Sequence, residues 1–137
     1  MIATAARQRA AVIGVGAAAV GAAAVLALGD PNRGGFPQCP FHRVTGLWCP
    51  GCGTQRALHS LLHLNLAHAF HENALAMCAL PFLVYAYVAW CTRVFAIDGA
   101  PRLRHPAAPV WLTSALPAVV IGFAVVRNLP FGRVLAP

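Results

Sequence analysis

The sequence predicts an all-α integral membrane protein: three transmembrane helices plus a short amphipathic interfacial helix following a Cys-rich loop. Three observations lead there. Of the 137 residues, 59% are hydrophobic and only 9% charged, whereas soluble domains average about 25% charged. Three apolar runs are each long enough to approach a hydrocarbon thickness of about 30 Å. Between the first two lies a stretch dense in Cys, Pro and Gly, from Cys39 to Arg56. A chain of this size reads as a single membrane domain, 1–137.

The first span is residues 10–28, which hold neither a charge nor a proline. As a helix this run covers about 28 Å. Gly14, Ala18 and Ala22 recur every fourth residue, a spacing that lets another helix approach closely. Arg7 and Arg9 ahead of the run give it some signal-peptide character. Its length favours an uncleaved anchor.

The Cys-rich loop is residues 29–53, opened by the turn-forming Gly29-Asp30-Pro31-Asn32-Arg33-Gly34-Gly35. An amphipathic helix follows over 54–71. Arg56, His59, Ser60 and His63 share one side, and Leu58, Leu61, Leu62 and Phe70 mostly another, which suits the membrane interface. Asn65 is placed to interrupt this helix and cap a second short segment.

Residues 74–92 form the second span, with a kink expected at Pro81 and Tyr85, Tyr87 and Trp90 toward its far end. Cys78 and Cys91 within it read as small apolar packing residues. A polar turn over 93–105 contains Asp98-Gly99 and Pro101. The third span is 107–126, with Trp111 and a kink at Pro117.

The formal charge is +7, carried by ten arginines and no lysine against Asp30, Glu72 and Asp98. The arginines stand at the ends of apolar runs and form no stripe. This distribution suits lipid headgroups and topology determination better than nucleic acid, and no nucleic-acid partner is expected. Arg7, Arg9, Arg93, Arg102 and Arg104 fall on one side of the three-span topology. Arg33, Arg43, Arg56, Arg127 and Arg133 fall on the other, spread over more than twice the chain. Arginine density therefore puts the amino terminus in the cytoplasm and the Cys-rich loop outside.

Within the loop, Cys49-x-x-Cys52 opens a helix, whose first-turn amides favour a thiolate, and Arg56 one turn on adds to that. With Cys39 and His42 the loop reads Cys-x2-His followed by Cys-x2-Cys, four soft ligands of the kind zinc takes tetrahedrally. His59 and His63 are alternative fourth ligands. The same thiols also suit a disulfide, between Cys49 and Cys52 or from Cys39 to either. An extracytoplasmic loop would favour the disulfide and a cytoplasmic one the metal. Gly53 follows Cys52 where c-type haem attachment needs His, so that covalent attachment is excluded. His59, His63, His68 and His71 read first as wet interfacial positions, with one face able to bind a metal or haem as the alternative. Glu72 is a partner for Arg56, as is lipid phosphate. No Ser-His-Asp set, carboxylate pair or phosphate-cradling loop stands out.

The run from Cys39 to Asn73 resembles the bacterial membrane family catalogued as Domain of Unknown Function 2752. Its pattern is met by Cys39-Pro40, Thr45-Gly46, Cys49-Pro50-Gly51-Cys52-Gly53, Arg56-Ala57, Ala69-Phe70 and Asn73. Ala74 stands where the pattern has Pro, and Leu64-Asn65 stands near its usual Gly. The resemblance implies that Cys39, Cys49, Cys52 and Arg56 act as one constellation, in a bacterial cytoplasmic membrane.

The function expected is that of a small non-enzymatic membrane protein. Its knuckle, metal-bound or disulfide-stapled, would dock another membrane protein or a second copy of the chain. The alternative is thiol–disulfide exchange, with Cys49 as nucleophile, Cys52 as resolving thiol and Cys39 as relay. A transporter subunit would want a polar lining, for which only Thr113, Ser114 and the tyrosines are available.

Overall fold

A long run of Ala, Gly and Val without proline is free to stay helical, and the first helix does so beyond its apolar part. The structure, a computed structural model, describes residues 2–95 and 110–136. Helix α1 runs Ile2–Leu28, taking in Arg7 and Arg9, whose exposed side chains are compatible with helix. Its inward stripe is Val12, Gly16, Ala23 and Leu26. Tyr87 Oη donates to the Val12 carbonyl at 3.1 Å. A Cβ on Gly16 would collide with that hydroxyl. The expected seam of Gly14, Ala18 and Ala22 is not the contact: Gly14 meets nothing within 4 Å, and Ala18 and Ala22 are exposed. The tyrosine hydroxyl must reach a carbonyl of α1, and the stripe without a Cβ at Gly16 is where it can.

Helix α2, Pro40–Thr45, begins on Cys39 as N-cap, with Pro40 in the first turn where its missing N–H costs nothing. It stops at Gly46, whose φ of 71° is left-handed and whose N–H bonds the His42 carbonyl. A tight turn then carries the chain through Cys49 and Cys52 to Gly53, whose φ of 85° starts helix α3, Thr54–Leu62. Helix α4 spans Leu66–Val94. Asn65 caps it, Oδ1 accepting from the His68 N–H at 3.1 Å. The amphipathic segment expected over 54–71 is thus two pieces, divided at Leu64, which is itself left-handed with φ 60°.

Asn73 interrupts α4 with an extended backbone, φ −159° and ψ 90°. A short leading segment precedes it and a long apolar one follows. Ala74 takes the first helical position after the break, the place that accepts proline. Helix α5 is Val110–Asn128, and a 3-10 helix over Pro130–Leu135 follows. The described residues contain no strand.

Among the described residues two helices are long and apolar enough to cross a membrane, Ala5–Leu28 and Leu66–Val94, where the sequence predicts three. The expected third span begins at residue 107, outside the described residues. The described apolar part of α5 is Ser114–Asn128, about 22 Å of helix and less than a full crossing. Asp98, Pro101, Arg102 and Arg104 of the expected polar turn also lie outside the described residues, as do the side chains of Trp111, Thr113 and Arg133.

Small residues let α3 and α4 approach closely. Ala57 and Ala69 are fully buried with Met77, and Leu58, Leu61 and Ala76 pack around them. On the other side of α3, His59 Nδ1 donates to the Leu26 carbonyl at 2.6 Å, satisfying a group in the last turn of α1 that has no intrahelical partner. Helix α3 is therefore clasped between α1 and α4 and is not lying free. Cys78, expected to pack, is exposed. The end of α1, the break in α4 and the end of α5 all converge on the Cys-rich loop.

Candidate metal centre

Turn geometry brings three thiols together. The Cys52 N–H bonds the Cys49 carbonyl at 3.1 Å, and the Thr54 N–H bonds the Gly51 carbonyl at 3.2 Å. Folding Cys49-Pro50-Gly51-Cys52 back on itself puts its two sulfurs 2.7 Å apart. Cys39, presented by the start of α2, places its Sγ 3.3 Å from that of Cys49. All three Sγ atoms lie within 4.8 Å of one another. All five cysteines are free thiols. Thiolates arranged tetrahedrally around zinc would sit about 3.8 Å apart, so the trio fits a metal after opening by about 1 Å. Three thiols at this spacing could hold a metal ion such as zinc.

The loop backbone is held by three side chains from distant positions. Asn73 Nδ2 donates to the Pro50 carbonyl at 3.0 Å, the Cys52 carbonyl at 3.2 Å and Thr54 Oγ1 at 3.0 Å. Its Oδ1 accepts the Ala76 N–H at 3.0 Å and so caps the long segment of α4. Arg127 Nη1 donates to the Cys49 carbonyl at 2.9 Å and the Cys52 carbonyl at 3.0 Å. Asn128 exchanges two hydrogen bonds with the Trp48 peptide, both 2.8 Å. Asn73 and Arg127 are fully buried, and buried polar groups of this kind contribute only when bonded.

The three thiols are not equivalent. Cys39, partly exposed, is drawn down to about 7 by the N–H of His42 first and then by the thiols of Cys49 and Cys52. Burial pushes Cys52 up to about 12, with Cys49 adding to the effect. The sequence places the thiolate-favouring helix start at Cys49 and Cys52. In the structure Gly53 is the N-cap of α3, and the thiol supported by the amides of a helix start is Cys39, at the head of α2. The Cys49 N–H instead bonds Cys52 Sγ at 3.2 Å.

The other predicted residues are placed as follows. His42 stands beside the cluster, but its Nδ1 contacts the Leu47 carbonyl at 3.1 Å, and its ring stacks on Trp48 with centroids 3.8 Å apart. Arg56 pairs with the buried Glu72 through Nε and Oε2 at 3.6 Å, and His68 approaches the other oxygen at 3.2 Å. His59 serves α1 as described above, and His63 Nδ1 lies 2.8 Å from the His59 carbonyl. A groove of about 780 Å³ beside the thiols is lined by Phe36, Cys39, His42, Trp48, Cys52 and Arg56 among others.

Sequence reasoning missed Arg127 and Asn128, which read as the polar end of a span. The available signal was an Arg-Asn pair closing an apolar helix where a lone arginine would mark topology.

Among the described residues, an all-helical fold with two membrane-length apolar helices and a three-thiol cluster at their shared end is the class that fold and site define. Residues 39–87 match the family described as Protein of unknown function (DUF2752), so the resemblance carried by the cysteine pattern holds over that segment. Neither the curated proteins nor the solved structures include a match.

Proposed function

We propose that this is a small, non-enzymatic membrane protein in which Cys39, Cys49 and Cys52 bind a structural divalent metal of the zinc class. The bound metal would fix the loop as a docking surface for another membrane component. The observation that carries this reading is the convergence of three sulfurs within 4.8 Å on a backbone tied down by Asn73, Arg127 and Asn128. Such rigidity suits a structural centre, which contributes folding energy when loaded. The docking face would include Phe41, Val44 and Leu47, which are exposed beside the cluster. In this reading α5 is a third membrane helix, its short apolar part extended by residues ahead of it, and the protein sits in a bacterial cytoplasmic membrane.

Metal analysis with thiol counting on full-length protein, purified anaerobically in mild detergent, tests the proposal. About one metal per chain is expected, with the loop thiols protected until a chelator is added. A second reading, thiol–disulfide exchange, is favoured by the 2.7 Å approach of Cys49 and Cys52. It predicts no metal and two thiols that appear only after reduction. Substitutions separate the readings further. A structural centre predicts that Cys39→Ser, Cys49→Ser and Cys52→Ser each lower abundance, whereas exchange predicts that Cys49→Ser abolishes activity in a protein that still folds.

A further inference from the structure

Arg127 is fully buried, yet among the described residues only one of its three nitrogens is satisfied. Nη1 bonds the two cysteine carbonyls, while Nε and Nη2 are buried without a hydrogen-bond partner. Its guanidinium lies 5.0 Å from the Phe123 ring centroid, a modest compensation for a buried cation. Among the described residues no carboxylate forms an ion pair with it. Nearby, Arg56 and Glu72 pair with each other. Of the ionisable groups around it, Cys52 and Cys49 favour its charge most and Glu72 less, with Arg56 opposing. A buried charge without a counter-ion is strongly unfavourable, so the site as it stands carries one positive charge too many.

Three thiolates around a divalent metal carry one net negative charge. Resting on the metal reading above, we infer that Arg127 is the built-in counter-cation of an anionic three-thiolate metal centre, its charge neutralising the complex through the Cys49–Cys52 turn. The centre is then a three-thiolate site completed by a neutral fourth ligand, such as water or an imidazole. A fourth thiolate would leave the complex under-compensated. Arg127 acts here as a positioning and charge-balancing residue and touches no metal.

The test uses full-length protein in mild detergent, with Zn²⁺ and Co²⁺ as probes and a chromophoric chelator as competitor. Arg127→Lys keeps the charge, and Arg127→Gln keeps a donor without it. Arg127→Gln is expected to weaken metal binding about 10–100-fold, as loss of an outer-shell partner does, with Arg127→Lys losing clearly less. The sulfur-to-cobalt charge-transfer band should fall in Arg127→Gln, reporting fewer thiolate ligands, and persist in Arg127→Lys. In a Cys39→Ser background the complex is already neutral, so adding Arg127→Gln should cost little more. Equal affinity in wild type, Arg127→Lys and Arg127→Gln would overturn the inference, as would equal losses in both variants with a fully additive Cys39→Ser cycle. Wild-type protein that binds neither metal would sink the metal reading itself, a result separable from these.

Discussion

Asn128 pairs with Trp48 as one peptide unit pairs with another: its Oδ1 accepts the Trp48 N–H and its Nδ2 donates to the Trp48 carbonyl, each at 2.8 Å. The end of α5 is thereby fixed to the residue next to Cys49. Asn128→Ala should destabilise the protein by about 1–3 kcal/mol, from two lost hydrogen bonds that leave partly buried backbone groups behind. Asn128→Asp, which keeps the acceptor and loses the donor, should fall between. Thermal unfolding in detergent, followed by tryptophan fluorescence, gives the order.

Asn73 performs two tasks at once, tying Pro50, Cys52 and Thr54 and capping the long part of α4. Asn73→Ala is expected to cost roughly 2–4 kcal/mol, combining a lost cap with buried carbonyls left unpaired. Asn73→Asp retains only the cap. If both variants melt with the wild type, the loop does not depend on this residue.

Leu64 adopts a left-handed backbone with φ 60° and is 93% exposed, so its side chain gains nothing in return for the strain. It stands near the position where the family pattern has glycine. Leu64→Gly should stabilise the protein by about 0.5–1 kcal/mol, the relief of strain less the added freedom of the unfolded glycine. A lowered melting temperature would refute this.

Arg56 and Glu72 should respond unequally to substitution. The Arg56 side chain is 31% exposed and that of Glu72 only 7%. Removing the acid lets the arginine turn to water, while removing the arginine leaves a buried carboxylate with His68 alone. Arg56→Ala is therefore expected to cost about 1–3 kcal/mol, more than Glu72→Gln. The double variant should recover part of that loss in a double-mutant cycle.

In metal-free protein, alkylation should distinguish the loop thiols. Cys39, drawn down to about 7, gains thiolate as pH rises through that value, so its iodoacetamide rate should climb from about pH 6 to about pH 8. Cys52, pushed up to about 12 by burial, stays a thiol across that range and should react last. Mass spectrometry of digests timed after reagent addition reads the order, and early labelling of Cys52 would contradict it.

Much of the architecture was legible because it is local. The charge-free run 10–28 reads as helix without reference to anything else, and Asn65 signals a cap through its own side chain. The cysteine spacing shows three thiols within one loop. The α1–α4 contact could not be placed from the sequence, because a four-residue stripe of small residues says only that approach is allowed. Tyr87, 75 residues from Val12, decides which stripe is used. Arg127 and Asn128 were hidden for the same reason. At the end of an apolar run an arginine looks like a headgroup contact, and only the folded chain shows that its partners are carbonyls of the loop. The lowered thiol was misassigned because the helix that matters begins at Cys39, and one turn initiated by proline leaves almost no periodic signal.

The Cys52 carbonyl accepts from both Asn73 and Arg127, and those donors leave the ribosome at very different times. Asn73 follows Cys52 by 21 residues, but Arg127 follows it by 75 and Asn128 follows Trp48 by 80. During synthesis the loop exists first with half its clasp missing, its thiols presented to whatever reagents surround them. The hydrogen bonds from Arg127 and Asn128 are added only once α5 has been made. A chain stalled before residue 127 would carry the cysteines with Asn73 alone to hold their loop.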